Sequence, residues 1–356
     1  MSTNWYSRLA FAAVVLAFVV VVLGAYTRIS DAGLGCPDWP TCYGHLTVPD
    51  SQHTLAQLDQ RYPDRPVEPA KAWKEMIHRY FAGTLGLAIL ALAVTAWTRR
   101  RRERTQSAGL PTLLLLLVIF QAALGMWTVT LLLKPTIVMG HLLGGLAILS
   151  LLWLLALRSG GLLKLGGAWR ANWPRWLALA GLIVLIGQIA LGGWTSSNYA
   201  AYACPDFPTC QGQWWPNMDF GDAFVMWHQT GIDFEGGILA NSARAAIHVS
   251  HRLGALATFI VLGSASIGFM VAAPRRSLKV LGGIVALFLV AQVGLGIALV
   301  ELGFPVSIAV AHNGNAALLL LSVVTLNAAV WRGRAVEPAV APEPELKSAQ
   351  GSLSST

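Results

Sequence analysis

Charge is what this chain has least of. Lys, Arg, Asp and Glu make up 12% of its 356 residues, about half the share of an ordinary soluble domain. Side chains that face lipid need no charged coat, so the deficit excludes a typical water-soluble fold and points to a bilayer. Acidic residues are scarcer than basic ones, 17 against 25, which gives a net charge of +8. A basic face for nucleic acid would gather that charge on one surface. Here it falls in short blocks between apolar runs, at Arg99-Arg100-Arg101-Arg102, Arg158 to Arg175 and Arg275-Arg276, which is the pattern of cytoplasmic loops. A basic leader and a small-residue cleavage site are both missing around the first apolar stretch, Leu9 to Gly24, which therefore reads as a helix that stays. Cysteine is limited to four residues.

Eight apolar runs are present, at about 8–28, 74–98, 110–132, 136–157, 176–196, 243–272, 279–301 and 305–331. Each is near the ~20 residues a helix needs to cross a bilayer. The expected fold is an all-α integral membrane protein, with eight transmembrane helices in two pseudo-symmetric four-helix bundles. An even number of spans puts both termini on one side, and the arginine blocks make that side cytoplasmic. The segment 196–240 then lies outside, and it holds five acidic residues but neither Lys nor Arg. Repetition supports the two halves. Leu23-Gly24 and Thr27 recur as Leu191-Gly192 and Thr195, and Cys36-Pro-Asp-Trp-Pro-Thr-Cys42 recurs as Cys204-Pro-Asp-Phe-Pro-Thr-Cys210. His78-Arg79 recurs as His251-Arg252, Gln121 as Gln292 and His141 as His312. The expected division is 1–165, 166–331 and a disordered cytoplasmic tail over 332–356, rich in Pro and Ser.

All four cysteines fall in the two long outer loops. On the oxidising side of a membrane, paired cysteines read as disulfides, and the C-x5-C spacing is wider than zinc sites ordinarily use. Such bridges would staple the loops or else relay electrons. Of eight histidines, His45, His53 and His228 fall in outer loops. His78, His141, His251 and His312 fall inside spans, where an ionisable side chain is costly and usually functional. Each follows an outer helix start by about five to eight residues, which places it ~7–12 Å below the outer interface. In an up-down-up-down bundle alternate helices face across the core. His78 then meets His141, and His251 meets His312, as two axial pairs for haem iron. Mononuclear copper or iron and a proton relay are the competing uses. Nearby Gly83, Gly140, Gly144, Gly145, Gly254 and Gly314 leave room for a flat macrocycle, and Arg79 and Arg252 are candidate propionate contacts. The halves differ at Glu75, three residues before His78, because the matching residue before His251 is His248. A carboxylate beside such a pocket can give or take a proton.

E-M-I-H-R at 75–79, His141, His251-Arg252, His312 and both cysteine pairs together resemble the haem A synthase family, over residues 5 to about 330. The resemblance implies a membrane oxidoreductase that converts the methyl substituent of haem O to the formyl group of haem A, used by terminal oxidases. It implies that His78 and His141 hold the substrate, that His251 and His312 hold a resident haem b, and that Glu75 assists the chemistry. It also makes the cysteine pairs, Cys36 with Cys42 and Cys204 with Cys210, loop disulfides. An external electron donor is implied as a partner, with the haem O-producing farnesyltransferase and a second copy of the chain as further candidates. A two-haem electron-transfer cytochrome and a haem transporter or chaperone are the alternatives.

Overall fold

A computed structural model describes residues 3–63, 65–102, 107–160 and 172–332. The expected half boundary at 165/166 and nearly all of the expected tail lie outside those residues. An apolar run in a bilayer must satisfy its own backbone groups, and a helix does so within the segment. The spans are accordingly helices, joined by loops and two short outer helices: α1 (Thr3–Ile29), α2 (Gln52–Arg61), α3 (Pro69–Arg102), α4 (Gly109–Thr130), α5 (Pro135–Ser159), α6 (Trp173–Ser197), α7 (Phe220–Ala223), α8 (Asn241–Ala272), α9 (Arg276–Glu301) and α10 (Val306–Arg332). All but α2 and α7 are long and apolar enough to span, so the eight expected spans are present. Large apolar side chains such as Leu116, Ile119, Leu287, Val290 and Val271 stay exposed on them, as a lipid-facing surface requires.

Several spans begin earlier than hydropathy suggests. α3 starts at Pro69, where proline lacks the N–H that a first helical turn cannot pair. His78 is therefore the tenth residue of α3, and His251 the eleventh of α8, while His141 and His312 are each the seventh of α5 and α10. The first two helices carry an extra polar turn above their histidines, beyond the expected five to eight residues.

Packing is ring-like on each side of the chain. α1 and α4 each pack against both α3 and α5, which leaves α3 and α5 on a diagonal. α6 and α9 each pack against both α8 and α10, so α8 and α10 are diagonal too. The two rings meet where α1 touches α10 and where α5 touches α6 and α10. α10 is the most enclosed span, with 72% of its apolar window buried against 17–28% for the other seven. Ala10, Ala13 and Ala17 form a small-residue face on α1 within the shared core, of the kind that lets helix backbones approach closely in lipid. Polar ties cross the seam: Trp153 Nε1 donates to Thr325 Oγ1 at 2.7 Å, and Arg28 Nη2 donates to the Ser196 carbonyl at 2.7 Å.

The outer loops are held by their own chemistry. Cys36 is bonded to Cys42 and Cys204 to Cys210, and a β-bridge follows each, Cys42 with His45 and Cys210 with Gln213. Inside each disulfide ring an aspartate organises the turn. Asp38 accepts from the Thr41 hydroxyl and the Gly44 amide, and Asp206 accepts from the Thr209 hydroxyl and the Gln211 and Gly212 amides. Those bonds hold the Asp206 carboxyl below its ordinary range, the Thr209 hydroxyl contributing most. Arg65 pairs with Asp233 at 2.9 Å across the two loops.

Candidate functional site

The diagonal α3–α5 pair brings His78 and His141 together. Their ring centres are 6.4 Å apart and their planes are inclined by 76°. A metal–imidazole bond of about 2 Å on each side of one iron calls for ring centres about 6 Å apart. The separation of the couple is therefore the one that two imidazoles on a single iron require. On the second diagonal His251 and His312 are near enough to interact electrostatically. All four rings keep part of their surface unpacked, whereas Glu75 and His248 are sealed.

What seats each ring is a glycine on the neighbouring helix. A Cβ added at Gly24 of α1 would lie 3.0 Å from Cε1 of His78. At Gly125 of α4 the figure is 3.2 Å from His141, at Gly192 of α6 3.1 Å from His251, and at Gly296 of α9 3.3 Å from His312. Real side chains almost never pack that close, so the missing Cβ sets each imidazole against bare backbone.

A glutamine side chain lies against three of the rings. Gln121 Nε2 lies 3.1 Å from Nδ1 of His141, Gln188 Nε2 lies 3.1 Å from Nδ1 of His251, and Gln292 Nε2 lies 3.0 Å from Nε2 of His312. A metal-bound imidazole donates the N–H of its other nitrogen, and the acceptor at that place is main chain: Val20 for His78, Gln121 for His141 and Gln292 for His312. Asn315 donates to Gln292 Oε1 at 2.7 Å. The repeat match of Gln121 with Gln292 was visible in the sequence; Gln188 was not, because its counterpart at the same offset is Val20.

These glutamines change the reading of the nearby glycines. The space beside Gly144 is filled by the Gln121 amide and that beside Gly254 by the Gln188 amide. Gly145 also abuts Gln121, Gly140 faces Leu124, and Gly314 faces Val22 and Phe18 of α1. Of the six glycines expected to make room for a macrocycle, Gly83 alone has open space beside it.

Glu75 sits one turn above His78 on α3. Its Oε2 accepts the main-chain N–H of Cys36 at 2.9 Å, and its Oε1 accepts from Arg79 Nη2. Arg79 Nη1 in turn donates to the carbonyls of Asp38 and Thr41, inside the disulfide ring. Carboxylate, guanidinium and loop thus form one buried unit over the first histidine couple. The second half repeats the arginine but not the acid. Arg252 donates to the carbonyls of Asp206, Thr209 and Cys204. His248, in the place of Glu75, is 5% exposed and lies against the main chain of Ala200 and Ala201. Both arginines therefore face the loops. Among the outer-loop histidines, His45 and His53 are exposed, and His228 packs on Phe234.

Comparison with known proteins covers nearly the whole chain. The family described as "cytochrome oxidase assembly protein" matches residues 7–324. The chain is 46% identical over 331 residues to a protein of Shewanella oneidensis named "Heme A synthase", covering 93% of this chain and 97% of that one. It is 29% identical over 354 residues to a protein of the same name from Caulobacter vibrioides, covering 91% and 94%. A third of that name, from Rhizorhabdus wittichii, is 27% identical over 356 residues, covering 94% and 93%.

Proposed function

Since the chain belongs to the cytochrome oxidase assembly protein family, we propose that it is a haem A synthase, a bacterial inner-membrane oxidoreductase that oxidises the methyl substituent of haem O to a formyl group. The observation that carries this reading is the His78–His141 couple, spaced for one iron, beneath a buried carboxylate that the other half lacks.

His78 and His141 grip the substrate porphyrin in the N-terminal half, the unit expected over 1–165. His251 and His312 are the ligands of a resident haem b in the C-terminal half, expected over 166–331; when bound, it supplies one-electron redox capacity. Dioxygen is the oxidant, consumed in two successive hydroxylations of the methyl carbon that give a gem-diol, which then loses water. The two electrons that each oxygen reduction also requires come from an external donor. Glu75 accepts or donates the proton that accompanies oxidation of the methyl carbon, and Arg79 orients it by occupying one carboxylate oxygen. Water is kept from this carboxylate by the loop ring closed between Cys36 and Cys42. Arg79 and Arg252, already committed to loop carbonyls, meet a propionate only as a shared partner. Both termini are cytoplasmic and both haem sites lie toward the outer face. The farnesyltransferase that makes haem O, and a second copy of this chain, are the proposed partners.

The test is pigment extraction after expression with a source of haem O. A formyl-bearing haem is expected from the intact chain and not from Glu75→Gln. Recovery of unchanged haem O from a haem-loaded intact chain, given oxygen and reductant, would overturn the reading.

A further inference from the structure

Asn327 is a buried polar side chain of α10 that the repeat does not account for. The offset that relates His141 to His312 also relates Ala156 to Asn327, so the first half has no amide at this place. Asn327 Nδ2 donates to the Ala178 carbonyl of α6 at 2.9 Å and to the Val323 carbonyl of its own helix at 3.0 Å. Carbonyls only accept, so the amide nitrogen must face them and Oδ1 is fixed on the other side. That oxygen has no hydrogen-bond partner, although the residue is only 9% exposed. An unpaired acceptor buried in a span calls for a donor from outside the chain.

The amide lines an open cavity of about 310 Å³, where α5, α6 and α10 pack on one another at the seam between the two rings. Its walls are apolar, from Leu154 of α5, Leu182 of α6, and Val324 and Ala328 of α10. Arg158 and Trp331, both exposed, line it at the ends of α5 and α10. A second guanidinium flanks the same indole, with Arg175 Cζ 5.9 Å from the centre of the Trp331 ring. Trp176 meets that ring edge-on at 5.9 Å, and tryptophans gather in this way at headgroup level. Neither Asp nor Glu is among the described lining residues. Asn327 lies ~22 Å beyond His312 along α10, so the cavity is at the opposite end of the bundle from the histidine couples.

We propose that this cavity binds one anionic phospholipid whose headgroup carries a hydroxyl, of the phosphatidylglycerol class. The phosphate pairs with Arg158 beside Arg175, as basic pockets between spans hold anionic headgroups. A headgroup hydroxyl donates to Asn327 Oδ1, and the start of an acyl chain lies against Leu154, Leu182 and Val324. Arg158 and Asn327 border the same cavity, so one headgroup can meet both. A choline headgroup has no donor for Oδ1. An ethanolamine headgroup has one but cancels the charge that the arginines attract. The lipid ties α5 and α6 to α10, the helices through which the rings meet.

Native mass spectrometry of the full, haem-loaded chain reads this, with phosphatidylglycerol, phosphatidylethanolamine or phosphatidylcholine added in detergent. One phosphatidylglycerol per chain should be retained, at least tenfold more than either other lipid. Arg158→Gln, at an exposed helix end, should cut that retention about tenfold and keep both haems. Asn327→Leu should narrow the preference over phosphatidylethanolamine severalfold, again with both haems present. Glycerol phosphate alone should not displace the lipid. Equal retention of the three lipids by the intact chain, or a preference for phosphatidylglycerol unchanged in both variants, would overturn the proposal.

Discussion

Glu75 Oε2 accepts the main-chain N–H of Cys36 at 2.9 Å, so the carboxylate above the His78–His141 couple is bonded to the first residue of a disulfide ring. Loop and site are one structure in the N-terminal half. Replacing the carboxylate removes the partner of both the Cys36 amide and the Arg79 guanidinium. An unpaired buried donor costs about 1–3 kcal/mol. Glu75→Ala should therefore lower the unfolding midpoint and abolish formyl product, whereas Glu75→Gln, which can still accept from Cys36, should abolish product with a smaller shift. Thermal melts alongside product analysis check this, and full product from Glu75→Gln would remove the proton role.

The carbonyls that bind Arg79 lie inside the Cys36–Cys42 ring. Closing so short a ring is worth roughly 2 kcal/mol in chain entropy. Cys36→Ser with Cys42→Ser should lose about that stability and also loosen Glu75, lowering product severalfold. Cys204→Ser with Cys210→Ser should cost similar stability while leaving Glu75 in place. Equal loss of product at matched haem content in the two pairs would argue that the loops act only as staples.

Each seating glycine makes a local prediction. A leucine at Gly192 or Gly296 must displace His251 or His312 and should strip the C-terminal haem, leaving the N-terminal one. Leucine at Gly24 or Gly125 should do the reverse. Overpacking of this sort costs about 1–3 kcal/mol, enough to weaken haem binding in the affected half by about fivefold to a hundredfold. Haem content per chain, resolved by type, decides it; loss from both halves would mean that the glycines support the whole bundle instead.

The second disulfide ring carries its own pH signature. Asp206 is held below the ordinary carboxylate range by the Thr209 hydroxyl and the Gln211 and Gly212 amides. A lowered folded-state value means that the stabilisation is present above the unfolded aspartate range, near pH 4, and fades as pH drops through the lower folded value. Amide exchange at Gln211 and Gly212 should be insensitive to loop opening from pH 7 to about 4 and rise below it. Asp206→Asn should flatten that response. Loosening that begins near pH 6 would contradict it.

Much of this architecture is legible before any coordinates. Apolar length alone specifies the eight spans, because lipid imposes one solution on backbone polarity. The four histidines stand out because ionisable groups are rare there and these recur at matched offsets. Other features leave little trace. The polar first turns of α3 and α8 lie beyond any hydropathy window. Gln188 leaves no repeat signal, because Val20 stands at the matching place in the first half. Gly144 and Gly254 looked like space for a ligand, and only packing shows that a glutamine amide already fills each. Arg79 and Arg252 looked free to meet a ligand from below, while the loops above them supply the carbonyls they bind.

The most direct measurement is haem type and stoichiometry in the purified chain and in its single-histidine variants, with haem O supplied. Two haems per chain are expected, a b-type group that disappears with His251→Ala or His312→Ala and a haem O or haem A that survives those changes. One haem shared by all four histidines, or two that respond alike to every variant, would contradict the division of labour between the couples.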